Sequence, residues 1–378
     1  MTARHLRLSL LAVAMLCVAP APASAAVHSS GRAVAASSGD CSSSGFPAQR
    51  DPRNPLDLPS SAHDPASSNP LSGARFFVDH KKGLAVPYLG RHPELRKIAD
   101  QPENKRFTRF TGNGSPADVL GNVRKFLCRV RADEPGTVPT ASVYRLRHEK
   151  CGNQADGPGE QRAYRRWMYA FARGVGRTPM VLFYEFDSLI SVRCLSHRGL
   201  DVRIAELRYG LKKLSALPQT VVYIDAGAAD ALSVRTVARL LNRVDIRSIE
   251  GFFLNSTHFD WTSTEVAYGA QISRLVHGKH FVVSTAVNGQ GPLRPRNRVR
   301  DGNEVLCNPP GRGLGPRPTT KTTSKLADGF LWIGNPGLSG GKCHPGDAGN
   351  GQFDLSYAFG LVKRANERLG PHDRSRPF

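Results

Sequence analysis

The chain has 378 residues, with 52 Lys and Arg against 31 Asp and Glu, a formal charge of +21. A balance this basic points to nucleic acid for an intracellular protein and to an anionic polymer for an exported one. Past the first residues no segment approaches the length and apolarity of a membrane span, so a membrane partner is excluded as an expectation.

The N-terminus decides between the two partners. Arg4 and Arg7 precede an apolar run from Leu8 to Ala19, and Ala23-Ser24-Ala25 closes it with small residues. This is the pattern of a secretory signal over residues 1–25, cleaved before Ala26. An exported chain is expected outside the cell, where the anionic partner is a cell-wall polymer or acidic glycan and nucleic acid is not expected. Cleavage removes two arginines and no acid, leaving about +19 of the +21. Arg294, Arg296, Arg298 and Arg300 share one Pro-broken stretch and offer a patch, or simply a solvated Arg-rich face. Cleavage also removes Cys17 and leaves Cys41, Cys128, Cys151, Cys194, Cys307 and Cys343. An even count in an exported chain suggests disulfides, with pairing not fixed by sequence. None of the spacings suits a zinc site. No metal and no cofactor is expected.

Residues 26–68 are rich in Ser, Ala, Pro and Asp and read as a flexible leader. Residues 69–378 have globular composition and read as one large domain. Within it Met180–Tyr184 is an apolar strand, and Val202, Leu207, Leu211 and Leu214 recur at helical spacing until Pro218 ends the pattern. Val221–Ile224 makes the next strand, ending at Asp225. A helix around Val234–Leu241, a strand Ile249–Leu254, a helix Glu265–Leu275 and a strand Phe281–Val283 follow. Uniformly apolar strands alternating with amphipathic helices indicate an α/β fold with a buried parallel sheet. Chemistry in such folds gathers at the C-terminal strand ends, which singles out Glu185, Asp187, Asp225 and Asn255.

Several ordered blocks then resemble one family. Tyr164-Arg165 with Trp167, Glu185-Phe186-Asp187-Ser188-Leu189, Tyr223-Ile224-Asp225-Ala226-Gly227 and Asn288-Gly289 with Gly291-Pro292 come first. Asn308-Pro309-Pro310-Gly311-Arg312-Gly313-Leu314-Gly315 after Cys307 follows, and then Phe330-Leu331-Trp332-Ile333 with Pro336-Gly337 and Cys343. Together, from about Asn69 to Leu361, they resemble the glycoside hydrolase family 6 cellulases. The resemblance implies a variant (β/α) barrel of parallel strands with its cleft at their C-terminal ends. It also implies inverting hydrolysis of β-1,4-glucosidic bonds in cellulose or a related β-glucan. It implies the disulfides Cys151–Cys194 and Cys307–Cys343 as well, each closing a loop of roughly 40 residues and contributing about 3–4 kcal/mol through loop-closure entropy. Cys41 and Cys128 lie outside that pattern and pair by default.

By the same resemblance Asp187 is the proton donor, against the plain reading of an Asp that caps the next helix. Tyr144, Asp225, Asn255 and Trp332 are the expected substrate-binding residues. Other positions depart from the family. Matching on Tyr144 and Cys151 places Glu149 and Lys150 where the family has Arg-Asp, and a cation there favours the ionised form of a nearby acid. Gly334 replaces a Lys, and Leu338 and Gly340 replace two carboxylates of a loop that carries a proposed base. Ala228, Ala231 and Leu306 replace a His and two aromatic sugar platforms. Asp156, five residues after Cys151, is a second candidate base. It also suits a turn in Gln154-Ala155-Asp156-Gly157. The expectation is a secreted glucanase-type hydrolase, of weak or altered activity. The alternative is a non-catalytic glycan- or wall-binding protein on a degenerate scaffold.

Overall fold

The computed structural model describes residues 69–146, 156–292, 307–374 and 378. The expected signal and leader, Cys41, Lys150, Cys151 and the Arg294–Arg300 stretch lie outside the described residues.

Among the described residues seven strands form one sheet. They are β1 (Lys105–Thr108), β2 (Thr140–Tyr144), β3 (Met180–Tyr184), β4 (Thr220–Asp225), β5 (Gly251–Leu254), β6 (His280–Ser284) and β7 (Ala327–Leu331). Every neighbouring pair is parallel, and their order in the sheet is their order in the chain. Among the described residues seven α-helices accompany them: α1 (Arg96–Ala99), α2 (Pro116–Asp133), α3 (Pro158–Val175), α4 (His197–Leu214), α5 (Val234–Arg243), α6 (Thr262–Leu275) and α7 (Leu355–Lys363). Consecutive parallel strands wound in one direction curl the sheet into a partial barrel, as expected from the resemblance.

The strands are apolar at successive positions because both faces are covered. Leu182, Tyr184, Val222, Ile224, Phe252, Leu254, Phe281 and Val283 share one cluster with the helices. The alternate positions Val181, Phe183, Val221, Tyr223, Phe253, Val282 and Leu331 fill the other side together with Leu71, Phe186 and Ile333. This is the two-residue period of a strand, with each large side chain contributing about 1.5–3 kcal/mol on burial.

Helix starts follow from capping side chains. Ser115, Ser196, Ser233 and Asp354 accept backbone N–H bonds from Asp118, Gly199, Thr236 and Tyr357. Ser196 therefore starts α4 at His197, earlier than the apolar spacing alone suggested. Farther along α4, Gly210 lets the helix approach β3, since a Cβ there would stand 1.9 Å from the Tyr184 hydroxyl. That hydroxyl is hydrogen-bonded to Tyr164 of α3.

Among the described residues β1 and β7 are not hydrogen-bonded as neighbours, so side chains bridge the gap. Asn104, fully buried before β1, donates Nδ2 to the Ile333 carbonyl at 2.7 Å. Its N–H donates to Asn335 Oδ1 at 2.9 Å, and Asn335 Nδ2 returns a bond to the Asn104 carbonyl at 3.0 Å. The outer side of β7 is met by an antiparallel bridge between Thr319 and Phe330. At the N-terminal strand ends Asn69 donates to the Asp328 carbonyl at 2.8 Å, and Leu71 is fully buried inside the curl.

Candidate active site at the C-terminal strand ends

The loops leaving β3, β4 and β5 meet at one point. Glu185 (φ 53°) and Asp187 (φ 58°) after β3, and Asn255 (φ 66°) after β5, are left-handed, a costly backbone state for non-glycine residues. Side-chain bonds hold it in place. Glu185 is fully buried, and its Oε2 accepts the N–H groups of Arg145 and Leu146, each at 3.0 Å. Asp225 Oδ2 accepts the Asp187 N–H at 2.5 Å, and its Oδ1 accepts the Gly227 N–H at 2.7 Å. Gly227 is required there, because φ is 78° and a Cβ would meet Ile190 at 2.3 Å. The Thr257 hydroxyl donates to Asp187 Oδ1 at 2.9 Å. Asp187 is half-buried between the buried Phe186 and Ser188.

The charges around Asp187 are unevenly distributed. Burial, and then the charge of Asp187, push Asp225 up to about 7 against the two N–H bonds it accepts. Two carboxyl groups this close do not both ionise cheaply, and Asp225 is the one that retains its proton toward neutral pH. Burial and the charges of Asp187 and Glu185 raise the Tyr144 hydroxyl. Tyr144 meets Phe186 edge-on at 6.2 Å, and the Arg106 guanidinium lies 5.4 Å from the Phe186 ring centre. Burial works against a charge on His258. The contact with Asp230 and the charges of Asp187 and Asp225 outweigh it, holding the imidazole above its ordinary value.

The structure thus brings together Tyr144, Glu185, Asp187 and Asp225. It places the other expected residues differently. Asp156 interacts electrostatically with Arg203 and Glu206. Asn255 directs its amide to the carbonyls of Asp260 (3.0 Å) and Ser284 (3.1 Å). Trp332 is 3% exposed, donates to the Pro316 carbonyl at 3.0 Å and stacks on Phe378 at 6.2 Å. Residues 332–341 carry no ionisable side chain. That loop is organised by Asn308, whose Nδ2 contacts Ser339 (2.9 Å) and Asp347 (3.0 Å) and whose Oδ1 accepts the Gly340 N–H at 2.9 Å. The Cys307–Cys343 disulfide is formed. Cys194 is disulfide-bonded, as is Cys128, and the expected partner Cys151 lies outside the described residues.

Sequence reasoning missed Arg106, Asp230, Thr257 and His258. The strand-end rule that selected Asn255 would have reached Thr257 and His258 had it been carried two or three residues further. Arg106 carries no such signal. At the N-terminal strand ends, Glu250, His280 and Asp328 place ligand-type atoms within 4.8 Å of one another. The two Asp328 oxygens already accept from the Tyr223 hydroxyl and pair with His280 Nδ1, each at 2.7 Å. The Asp328 carboxylate is thereby satisfied. A cavity of about 500 Å³ lies beside β7, lined in part by Arg317, Lys321, Phe330, Arg368 and Arg374.

Residues 89–364 match the family described as Glycosyl hydrolases family 6. The chain is 36% identical over 235 residues to Endoglucanase A of Cellulomonas fimi, covering 62% of this chain and 49% of that protein. It is 31% identical over 278 residues to Endoglucanase A of Thermobispora bispora, covering 70% of this chain and 58% of that protein. It therefore spans about half the length of these curated relatives. Among solved structures it superposes on the endoglucanase Cel6 from Mycobacterium tuberculosis in complex with methyl-cellobiosyl-4-deoxy-4-thio-β-D-cellobioside. That match has a TM-score of 0.70 and 35% identity, covering 79% of this chain and 99% of that one.

Proposed function

The chain belongs to glycosyl hydrolases family 6, and from that premise we propose that it is a secreted, inverting hydrolase of β-1,4-glucosidic bonds in a β-glucan. The observation that carries this reading is the placement of Asp187. It stands half-buried at the end of β3, fixed by Asp225 on its backbone and Thr257 on its carboxylate. In this role the Asp187 carboxyl protonates the leaving oxygen while water attacks the opposite face of the anomeric carbon. Asp225, pushed up to about 7, keeps its own proton beside Asp187 toward neutral pH.

The base is the weak part of the site. Leu338 and Gly340 remove both carboxylates from the loop that carries it in the family, and Asp156 stands with Arg203 and Glu206. Activity is therefore proposed to be low. The test is reducing-sugar release from soluble β-glucan at high protein concentration. Asp187→Asn is expected to lower the rate by about 10²–10⁴-fold. A loss of similar size in Asp156→Asn, with folding intact, assigns the base to Asp156. An unchanged rate removes it.

The loss of every ionisable group from residues 332–341 favours a second reading, a non-catalytic glycan- or wall-binding protein. No sugar release alongside retained polysaccharide binding would establish it. For either reading we propose export through the signal at residues 1–25 and recruitment to an anionic wall polymer. Arg317, Lys321, Arg368 and Arg374 outnumber Glu367 and Asp373 around the cavity beside β7, which supports that partner. Such binding weakens as salt rises, and salt-insensitive binding would remove the idea.

A further inference from the structure

The cavity beside β7 shares no lining residue with the site around Asp187. It holds about 500 Å³, a size that takes a sugar unit. One wall is residues 316–323, where the Pro316 carbonyl accepts Thr285 Oγ1 at 2.7 Å and Trp332 Nε1 at 3.0 Å. The other is residues 367–374, joined to α6 by the Ser263 N–H, which donates to the Leu369 carbonyl at 2.8 Å. Both walls are thus held by the fold. Phe330, 2% exposed, contributes an apolar surface between them. Four cations against two acids leave the lining positive. Arg317 Nε pairs with Glu367 Oε1 at 3.1 Å, and Asp373 accepts the Leu369 N–H at 3.0 Å. Among the described residues Lys321, Arg368 and Arg374 have no ion-pair partner. The Arg368 guanidinium lies over the Trp261 ring at 5.1 Å, and its Nε is buried without a hydrogen-bond partner. Stacking holds a guanidinium by its face and leaves the N–H edge for acceptors. Buried donors are rarely left unpaired, and a ligand oxygen satisfies one without breaking a protein contact.

We propose that this cavity binds one acidic sugar unit, whose carboxylate or phosphate oxygens are bonded by Arg368 and attracted by Lys321 and Arg374, with its ring against Phe330. This rests on the anionic-polymer reading above and deepens it, by giving that partner one place to bind instead of a diffuse basic surface. The planar guanidinium fork matches either oxyanion, while an ammonium acts as a point charge. A walled cavity also focuses the field of its cations. A charge removed from this lining therefore counts for more than the same charge removed elsewhere.

The test is calorimetry on the full chain at low salt, with trigalacturonate and inorganic phosphate as probes and cellotriose as the neutral control. Arg368→Gln and Lys321→Gln alter the lining. Arg239→Gln removes the same charge from an exposed position on α5. One probe molecule is expected to bind per chain, and the tighter of the two probes identifies the oxyanion. R368Q should raise its Kd about tenfold or more, the size of one lost charge-assisted hydrogen bond. K321Q should raise it less, R239Q should leave it unchanged, and cellotriose should not compete. If R368Q lowers Tm through the Trp261 contact, K321Q decides, because the Lys321 side chain is exposed. A Kd raised equally by K321Q and R239Q overturns the site in favour of a diffuse field. A chain that binds polygalacturonate but neither small probe, or binds them equally well in R368Q and K321Q, also overturns the site and leaves the anionic-polymer reading intact. A wild-type chain that binds no anionic probe or polymer overturns both.

Discussion

The Asp225 carboxylate accepts the Asp187 N–H, so the two side chains are neighbours at the end of the sheet. Burial and the charge of Asp187 hold Asp225 near 7, so Asp225 should lose its proton close to neutrality. Asp225→Asn removes that titrating group and is accordingly expected to change the kcat/KM profile around neutral pH, as read from a pH–rate series on soluble β-glucan. An unchanged profile would detach Asp225 from the reaction. At this scale the sequence made Asp187, Asp225 and Glu185 visible, because strand ends are legible from apolar runs. It did not reveal that Thr257, His258 and Arg106 stand beside them. Those residues come from the loop after β5 and from β1, and only the curl of the sheet brings them together. Trp332 shows the opposite case. An aromatic side chain in a family block looks like a sugar platform in sequence, and the structure packs it against Phe378.

The recognisable blocks are largely those that build loops and seams. Asn308 organises residues 339–347, Gly227 permits the turn that presents its N–H to Asp225, and Asn255 fastens the β5 loop through its amide. Such positions tolerate few residue types, because each satisfies buried backbone groups or a positive φ. That accounts for why these blocks are recognisable in the sequence. The seam between β1 and β7 follows the same logic, with the Asn104 side chain standing where a strand ladder would otherwise run. Asn104→Ala leaves the Ile333 carbonyl without that donor in a buried place. It should cost about 1–3 kcal/mol, measured as a lower denaturant midpoint. No change in the midpoint would show that the seam contributes nothing to stability.

For the molecule as a whole, several carboxyl groups are held protonated well above their ordinary range, mainly by burial. Glu103, Glu250 and Asp225 lie near 7 and Glu206 near 8. A raised folded pKa contributes stability that is fully present below the unfolded value and lost as pH rises through the folded one. The raised His258 adds with the same sign. Asp79 and Asp354, held low, act oppositely and only as pH falls through their own lower values. Thermal unfolding should therefore show a higher Tm near pH 5.5 than near pH 8, by roughly several degrees. A Tm that rises between those values would refute this account. By itself the sequence determined the alternation of strands and helices from Met180 to Val283, the family, and the position of Asp187. These are carried by local periodicity and by loop residues with little freedom to vary. Only the tertiary structure decided that Asp225 and Thr257 bond Asp187, that Asp230 pairs with His258, that Asp156 interacts electrostatically with Arg203 and Glu206, and that Asn104 bridges the open seam. Contacts between loops depend on how seven parallel strands curl, and that geometry is written in no single stretch of chain.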